Sequence, residues 1–109
     1  MSKTDDKYLL EVFQDNPNYG FNLIVREYQQ RLYFHIRRIV LTHEDSDDVL
    51  QNTFIKAWKG LQKFRGDSKL STWLFSIATN EALSHLKKNK KRLSNVSLEI
   101  IEDKHSPTF

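Results

Sequence analysis

The feature that most constrains the fold of this chain is a long apolar stripe with the 3.6-residue period of an α-helix. After Phe21 it continues through Ile24, Val25, Tyr28, Leu32, His35, Ile36, Ile39 and Val40. The chain has only three glycines and two prolines, and no segment alternates apolar and polar residues for long. The sequence therefore predicts an all-α fold, a compact bundle of about four helices joined by short loops.

The remaining helices are predicted around this stripe. A short first helix is expected over residues 5–15 and ends at Asn16-Pro17, because proline disfavours a helical conformation in the residue before it. An Asn18-Tyr19-Gly20 turn then leads into the long second helix. Thr42 and Asp45 resemble a capping box that starts a third helix. The residues of the third helix expected to face inward are Leu50, Phe54, Ala57, Trp58 and Leu61.

The fourth helix is expected after a turn-rich loop. Gly60 and the loop of residues 63–68 should end the third helix, and Ser68 or Ser71 should cap the fourth. The residues of the fourth helix expected to face inward are Trp73, Leu74, Ile77, Ala78, Ala82 and Leu86. Residues 1–92 are thus predicted to form one helical domain, and the weakly patterned residues 93–109 a linker or disordered tail.

Several classes of protein fit the composition poorly. The chain contains no cysteine, which excludes a disulfide framework and a thiolate metal site. It has neither an apolar run of membrane-spanning length nor the apolar core of a signal peptide. We expect a cytoplasmic protein that does not insert into membranes.

Charge divides the chain into two unlike parts. Residues 1–55 hold six Lys/Arg against nine Asp/Glu, whereas residues 56–92 hold ten against two. This division indicates two surfaces with different partners. The simpler interpretation, a solvated lysine-rich helix end, stays open for the basic part.

Each part carries a candidate surface. On the third helix, Ile55 lies exposed among the polar residues Asp48, Gln51 and Asn52, which suggests a contact with a protein. On the fourth helix, small polar residues are followed by lysines at three-to-four-residue spacing: Ser76, Asn80, Ser84, Lys87, Lys88 and Lys91. Such a stripe allows close approach to a nucleic acid and then contact with its phosphates. Arg37 and Arg38 add a basic face at the end of the second helix.

Other conspicuous side chains are interpreted as packing residues. His35 has no second histidine three or four positions away, so a place at the core boundary is favoured over a metal ligand. Trp58 is predicted to be core. Trp73 is flanked by Leu74 and Phe75, which favours the core over a platform for a stacked base.

Two motifs resemble bacterial sigma factors of the extracytoplasmic-function (ECF) group. Residues 45–58, DSDDVLQNTFIKAW, resemble the pattern D-x-x-D-x-x-Q-E-x-F-x-x-A-W. Residues 64–68, FRGDS, followed by STWL at 71–74, Ile77-Ala78 and Asn80, resemble the promoter-melting and −10-recognition segment. With the second helix, the resemblance covers about residues 17–92. It implies a sigma region 2 domain that takes part in transcription initiation.

The resemblance also implies sites. The third-helix residues Asp48, Gln51 and Asn52, with Ile55 at the edge, would dock on the clamp helices of the RNA polymerase β′ subunit. The family usually has glutamate at the position of Asn52, so a charge-assisted bond to a polymerase arginine is expected to be lost. A flipped non-template base would be held by Phe64, Arg65, Gly66, Asp67, Ser68, Lys69, Leu70 and Ser71, with Thr72 and Trp73 in support. The −10 duplex edge and its phosphates would be met by Arg37, Arg38, Asn80, Ser84, Lys87, Lys88 and Lys91.

The partners implied by the resemblance are the RNA polymerase core, the non-template strand of the promoter −10 element and an anti-sigma factor, with no cofactor, metal or catalytic residue. ECF factors carry a second domain that binds the −35 element, and no residues follow Phe109. We therefore expect this chain to be a piece of a longer protein and to bind promoters weakly by itself.

Two rival functions remain. An enzyme is disfavoured because His35, His43, His85 and His105 are scattered and no glycine-rich phosphate loop occurs. The second rival is a helical interaction module, such as a polymerase-binding or anti-sigma-like regulator, that never touches DNA. The basic stripe of the fourth helix distinguishes it from a sigma domain.

Overall fold

Four α-helices form the computed structural model of the protein: α1 (Asp6–Asp15), α2 (Pro17–Arg37), α3 (His43–Leu61) and α4 (Leu70–Lys104). The structure describes residues 5–64, 66 and 68–104, and of residues 92–104 the backbone alone. Across these residues no strand is present, and the all-α prediction is confirmed. α2 packs against each of the other three helices, and α3 also packs against α4.

The junction of α1 and α2 corrects one expectation. The predicted break at Asn16-Pro17 is present, and the Asn16 side chain caps α2 by accepting a hydrogen bond from the Tyr19 N–H at 3.2 Å. Pro17 follows at the first helical position, where its missing N–H costs nothing. The Asn18-Tyr19-Gly20 turn was wrong, because these residues form the first turn of α2.

Gly20 has a packing reason instead. It is buried, and a Cβ atom there would lie 2.3 Å from Cα of Phe13 in α1. The backbones of α1 and α2 therefore cross so closely that only a residue without a side chain fits.

The core is centred on the predicted stripe of α2. Ile24, Tyr28, Leu32 and Ile36 are all buried and meet Leu9 and Phe13 of α1, Val49, Ala57 and Leu61 of α3, and Leu70, Leu74, Ala78 and Ala82 of α4. On α3 the predicted residues Leu50, Phe54 and Trp58 pack at the edge of the core rather than inside it.

Two small polar residues of α3 take the inner positions that sequence reasoning gave to larger apolar ones. Ser46 and Thr53 are fully buried. Their hydroxyls donate to backbone carbonyls one turn earlier, Ser46 to Thr42 O at 2.9 Å and Thr53 to Val49 O at 2.7 Å. Burial of these polar groups is tolerated because both are hydrogen-bonded within their own helix.

Gly60 is the penultimate residue of α3, which ends at Leu61 before the loop, close to the expected position. A Cβ atom at Gly60 would come within 2.9 Å of the Trp73 indole. The glycine thus lets the Trp73 ring of α4 lie against the backbone of α3.

α4 continues through residue 92 to Lys104. The prediction that residues 93–109 form an interdomain linker or a disordered tail stays a prediction, and residues 105–109 lie outside the described part of the chain. Among the helices described, none combines the length and the apolar character that crossing a membrane requires.

Candidate nucleic-acid interface

A short loop separates α3 from α4. Backbone bonds from Lys63 N to Gly60 O and from Phe64 N to Leu61 O, at 3.0 and 3.1 Å, close the end of α3. Gly66 then has φ +79°, a conformation that L side chains rarely adopt, while the space around it is open. Glycine is needed here for backbone conformation and not for room. Arg65 and Asp67, two predicted site residues, lie outside the described residues.

An aromatic pair joins the two ends of this loop. The rings of Phe64 and Trp73 lie 5.0 Å apart between centroids at an angle of 46°. Both side chains are half-buried and pack on the core. This placement confirms the interpretation of Trp73 as a packing residue, while its supporting role for a captured base stays a prediction.

The start of α4 is held by a residue that sequence reasoning missed. The Ser71 N–H donates to Oδ2 of Asp6 in α1 at 3.3 Å. The expected caps do not act in this way, since the Ser68 hydroxyl contacts the Lys69 carbonyl at 3.4 Å and Ser71 contributes its amide. Asp6 and Ser71 are 65 positions apart, so no local pattern could have revealed the contact.

The second oxygen of Asp6 is also engaged. The Tyr28 hydroxyl donates to Oδ1 at 2.6 Å, and the Arg31 guanidinium lies over the Tyr28 ring at 4.4 Å. Burial, together with the bond to the Asp6 carboxylate, raises the pKa of Tyr28 to about 12. The phenol is therefore protonated at ordinary pH and acts as the donor.

The predicted base-binding residues differ in exposure. Ser68, Lys69 and Thr72 are exposed and Ser71 is half-buried, whereas the Leu70 side chain is 1% exposed and belongs to the core. Contact with a base would therefore fall to the exposed members. Beside Gly66 a cleft of about 250 Å³ opens, lined also by Leu10, Phe13, Gln14, Leu61, Gln62 and Phe64.

The polar and basic stripe of α4 faces solvent. Ser76, Asn80, Ser84, Lys87, Lys88 and Lys91 are all exposed. Lys87, Lys88 and Lys91 form no ion pair with any residue that the structure describes. Their charges are thus available to an anionic partner.

The predicted docking face of α3 is exposed too. Asp48, Gln51 and Asn52 are exposed, and Ile55 keeps 48% of its surface accessible. Beside this face, Lys56 pairs with Glu81 of α4. His85 Nε2 of α4 lies 3.2 Å from Asp45 Oδ1 of α3. The two candidate surfaces belong to helices that pack together and are joined by these two side-chain contacts.

The end of α2 gives Arg37 a second task. Its guanidinium donates to the carbonyls of Val40 and Leu41, at 3.3 and 2.9 Å, and so closes the turn after α2. Arg38 is exposed. Among the residues that the structure describes, no hydrogen bond or ion pair joins either arginine to the stripe of α4, so their part in binding DNA stays a prediction.

His35 occupies the predicted core boundary. Its Nε2 lies 2.7 Å from the Thr79 hydroxyl of α4, and its ring packs on Phe75 at 5.0 Å. Because the Thr79 hydroxyl donates to the Phe75 carbonyl, it accepts from His35. Within the described residues no group of three or more potential metal ligands occurs.

Comparison with known proteins identifies the family of this helical domain. Residues 24–92 match the model of the sigma-70 region 2 family. The ECF RNA polymerase sigma-E factor of Salmonella typhimurium is 38% identical over 97 residues, which are 89% of this chain and 50% of that protein. The chain spans about half the length of the curated relatives it matches.

Two solved structures share the fold. An engineered region 2 of sigmaE, determined by NMR in complex with GTAAAA, superposes with a TM-score of 0.74 and 38% identity. The superposition covers 85% of this chain and 98% of that one. CnrH, in complex with the cytosolic domain of CnrY, gives a TM-score of 0.65 at 29% identity over 72% of this chain and 51% of that chain.

Proposed function

This chain belongs to the sigma-70 region 2 family, and we propose that it is the −10-recognition region of an ECF sigma factor. It docks on the β′ clamp helices of RNA polymerase through α3 and captures a flipped base of the non-template strand in the loop before α4. The observation that carries the proposal is the likeness to sigmaE region 2, a chain solved with GTAAAA and covered over 98% of its length.

The loop is built to select a base rather than to bind one tightly. Its exposed members, Ser68, Lys69 and Thr72, offer hydrogen bonds and one charge. The aromatic side chains nearby, Phe64 and Trp73, are half-buried against each other. Recognition therefore depends on a polar pocket with limited stacking, which suits discrimination among bases.

The stripe of α4 supplies affinity that is independent of sequence. Asn80 and Ser84 meet the duplex edge, and Lys87, Lys88 and Lys91 contact phosphates. About three neutralised phosphates on a single strand correspond to a log–log salt slope of roughly −2.

Energetics makes the polymerase necessary. Opening about ten base-pair steps costs roughly 14 kcal/mol at the mean stacking energy per step. A captured base returns about 1–3 kcal/mol. One or two captured bases can decide where a bubble begins, but the polymerase must supply most of the energy that holds it open.

The face of α3 serves the docking step. Asp48 and Gln51 offer acceptors and Ile55 an apolar contact, all accessible to a partner helix. Asn52 is one methylene shorter than glutamate and carries no charge, so docking is weaker than with glutamate. An anti-sigma factor is a second protein partner in this proposal, and the protein has no enzymatic activity of its own.

Base selection is tested by fluorescence anisotropy with short non-template oligonucleotides, starting from GTAAAA and changed one base at a time. We expect at least one position to cost about tenfold in affinity when changed. Equal affinity for every sequence would remove the base-capture role.

The stripe is tested by changing Lys87, Lys88 and Lys91 together to alanine, which should weaken binding and flatten the salt slope by roughly 2. The control changes Lys7, Arg26 and Lys59, three exposed basic residues outside α4, and alters net charge equally. If the stripe variant binds single strands as the wild type does, the chain is an interaction module that does not touch DNA.

Docking is tested by capture on a β′ clamp-helix fragment. Asp48→Ala and Gln51→Ala should reduce capture, Asn52→Glu should increase it, and Asp15→Ala, an exposed acidic residue of α1, should leave it unchanged. Capture that is indifferent to both alanine changes would remove the docking assignment.

A further inference from the structure

The first helix reaches the candidate DNA interface from outside the residues matched by the family model. Asp6 precedes the matched region, which begins at residue 24. Its Oδ2 accepts the Ser71 N–H, one of the amides that lack an intrahelical partner at the start of α4. Lys69, directly before α4, has no side-chain acceptor that could cap the helix. The cap is therefore supplied by another helix.

The position of this carboxylate is itself fixed. The Tyr28 side chain is 2% exposed and donates to Oδ1 at 2.6 Å. α1 is anchored by Leu9 and Phe13, which are 0% and 5% exposed. Asp6 thus links the packed helices α1 and α2 to Ser71 at the start of α4.

We propose that Asp6 is a positioning residue for base recognition. By accepting the Ser71 N–H it sets the direction in which the loop enters α4, and with it the places of Ser68, Lys69 and Thr72 around a captured base. The inference rests on the proposed function, since it assigns a role in the same site. Asp6 touches no base, and Tyr28 acts through it.

Electrostatics separates this role from a direct effect on DNA. Replacing Asp6 by a neutral residue raises the net charge of the chain by one, which favours a polyanion at every sequence. A loss of base discrimination without a loss of non-specific binding therefore points to geometry and not to charge.

The experiment measures the ratio of affinities between the best oligonucleotide and its base-substituted versions. The variants are Asp6→Ala, Asp6→Asn and Tyr28→Phe. Thr42→Ala is the control, since it removes the N-cap of α3. All are assayed at a temperature at which circular dichroism shows each of them folded, with amide exchange of Ser71 followed by NMR.

For Asp6→Ala we expect the ratio to fall about tenfold and Ser71 exchange to accelerate similarly, since one charge-assisted bond is lost. Asp6→Asn, whose amide oxygen can accept the Ser71 N–H, keeps most of the ratio. Tyr28→Phe keeps the buried ring but removes the hydrogen bond to the Asp6 carboxylate. We expect it to lower the ratio of affinities by less than Asp6→Ala does, so that a second variant tests the inference.

Three outcomes overturn the inference: an unchanged ratio in Asp6→Ala, unchanged Ser71 exchange, or an equal loss of the ratio in Thr42→Ala, which would show a general effect of stability. A wild-type chain that binds every base equally would overturn the proposed function as well. That failure is distinct because it is visible before any substitution.

Discussion

The two helices that carry the candidate surfaces begin in different ways. At the start of α3 the Thr42 hydroxyl accepts the Asp45 N–H at 3.0 Å, three residues along the chain. At the start of α4 the acceptor is Asp6, 65 residues away. The candidate docking helix is capped by a residue next to it in sequence, whereas the candidate DNA-binding helix is capped by a residue of another helix.

The difference extends to the segments beside the two caps. The first turn of α3, which precedes the proposed docking face, is capped by the neighbouring Thr42. The loop before α4 contains a glycine at φ +79° and is bounded by an aromatic pair and a distant carboxylate. Its geometry is therefore a property of the whole domain.

The substitution with the largest expected effect on the start of α4 is Gly20→Ala. The new Cβ would meet the Phe13 backbone at 2.3 Å, so α1 must move and carry Asp6 away from α4. We expect the free energy of unfolding, measured by thermal denaturation, to fall by about 3 kcal/mol. Amide exchange should accelerate more at Ser71 than at Asp45. Gly66→Ala is the control, since it meets open space and costs about 1 kcal/mol through its positive φ alone. Equal losses in the two variants would contradict the close helix crossing.

Unfolding at alkaline pH tests the hydrogen bond from the Tyr28 hydroxyl to Asp6. The pKa of Tyr28 is about 12 in the fold and about 10 in an unfolded chain, so the protonated phenol stabilises the fold fully below pH 10. This contribution is lost as pH rises from about 10 to 12, by roughly 2–3 kcal/mol. Urea unfolding of the wild type and Tyr28→Phe between pH 8 and 12 measures it, because the other titrating groups are common to both. Parallel pH profiles would show that Tyr28 does not supply the effect.

A double-mutant cycle compares the two caps directly. Thr42→Ala and Asp6→Ala should each cost about 1 kcal/mol. Since they share no partner, their effects should add within about 0.5 kcal/mol in urea unfolding. Asp6→Ala and Tyr28→Phe remove the same bond and should not add. Coupling between Thr42 and Asp6 would mean that the two helix starts are not independent.

The smallest effects are expected for the serines beside α4. Neither the Ser68 nor the Ser71 hydroxyl caps the helix in the described contacts, so each change to alanine should alter the unfolding free energy by less than about 0.5 kcal/mol. A loss near 1 kcal/mol in either variant would assign the cap to that hydroxyl.

Features written in neighbouring residues could be predicted from the sequence. The stripe of α2, the Thr42 cap and the break at Asn16-Pro17 all depend on contacts within a few residues, and all are present. The exposed face of α3 and the stripe of α4 follow from helical periodicity in the same way.

Features that depend on two helices meeting could not be predicted. Glycine is typical of turns and helix ends, but Gly20 and Gly60 are explained by contacts between helices. Phe13 approaches the backbone of Gly20, and the Trp73 ring approaches that of Gly60. Asp6 is an unremarkable acidic residue near the N-terminus until the fold brings Ser71 and Tyr28 to its two oxygens. Arg37 likewise donates to the carbonyls of Val40 and Leu41, which come within its reach only because the chain turns after α2.

The close crossing of α1 and α2 has a consequence for where the cooperative folding unit ends. The family match begins at residue 24, in the second turn of α2. A fragment cut there would lose Leu9, Phe13 and Gly20 and would open the apolar stripe of α2 to water. The segment matched by the family model and the segment expected to unfold as one unit therefore differ in length, because the folding unit also includes α1.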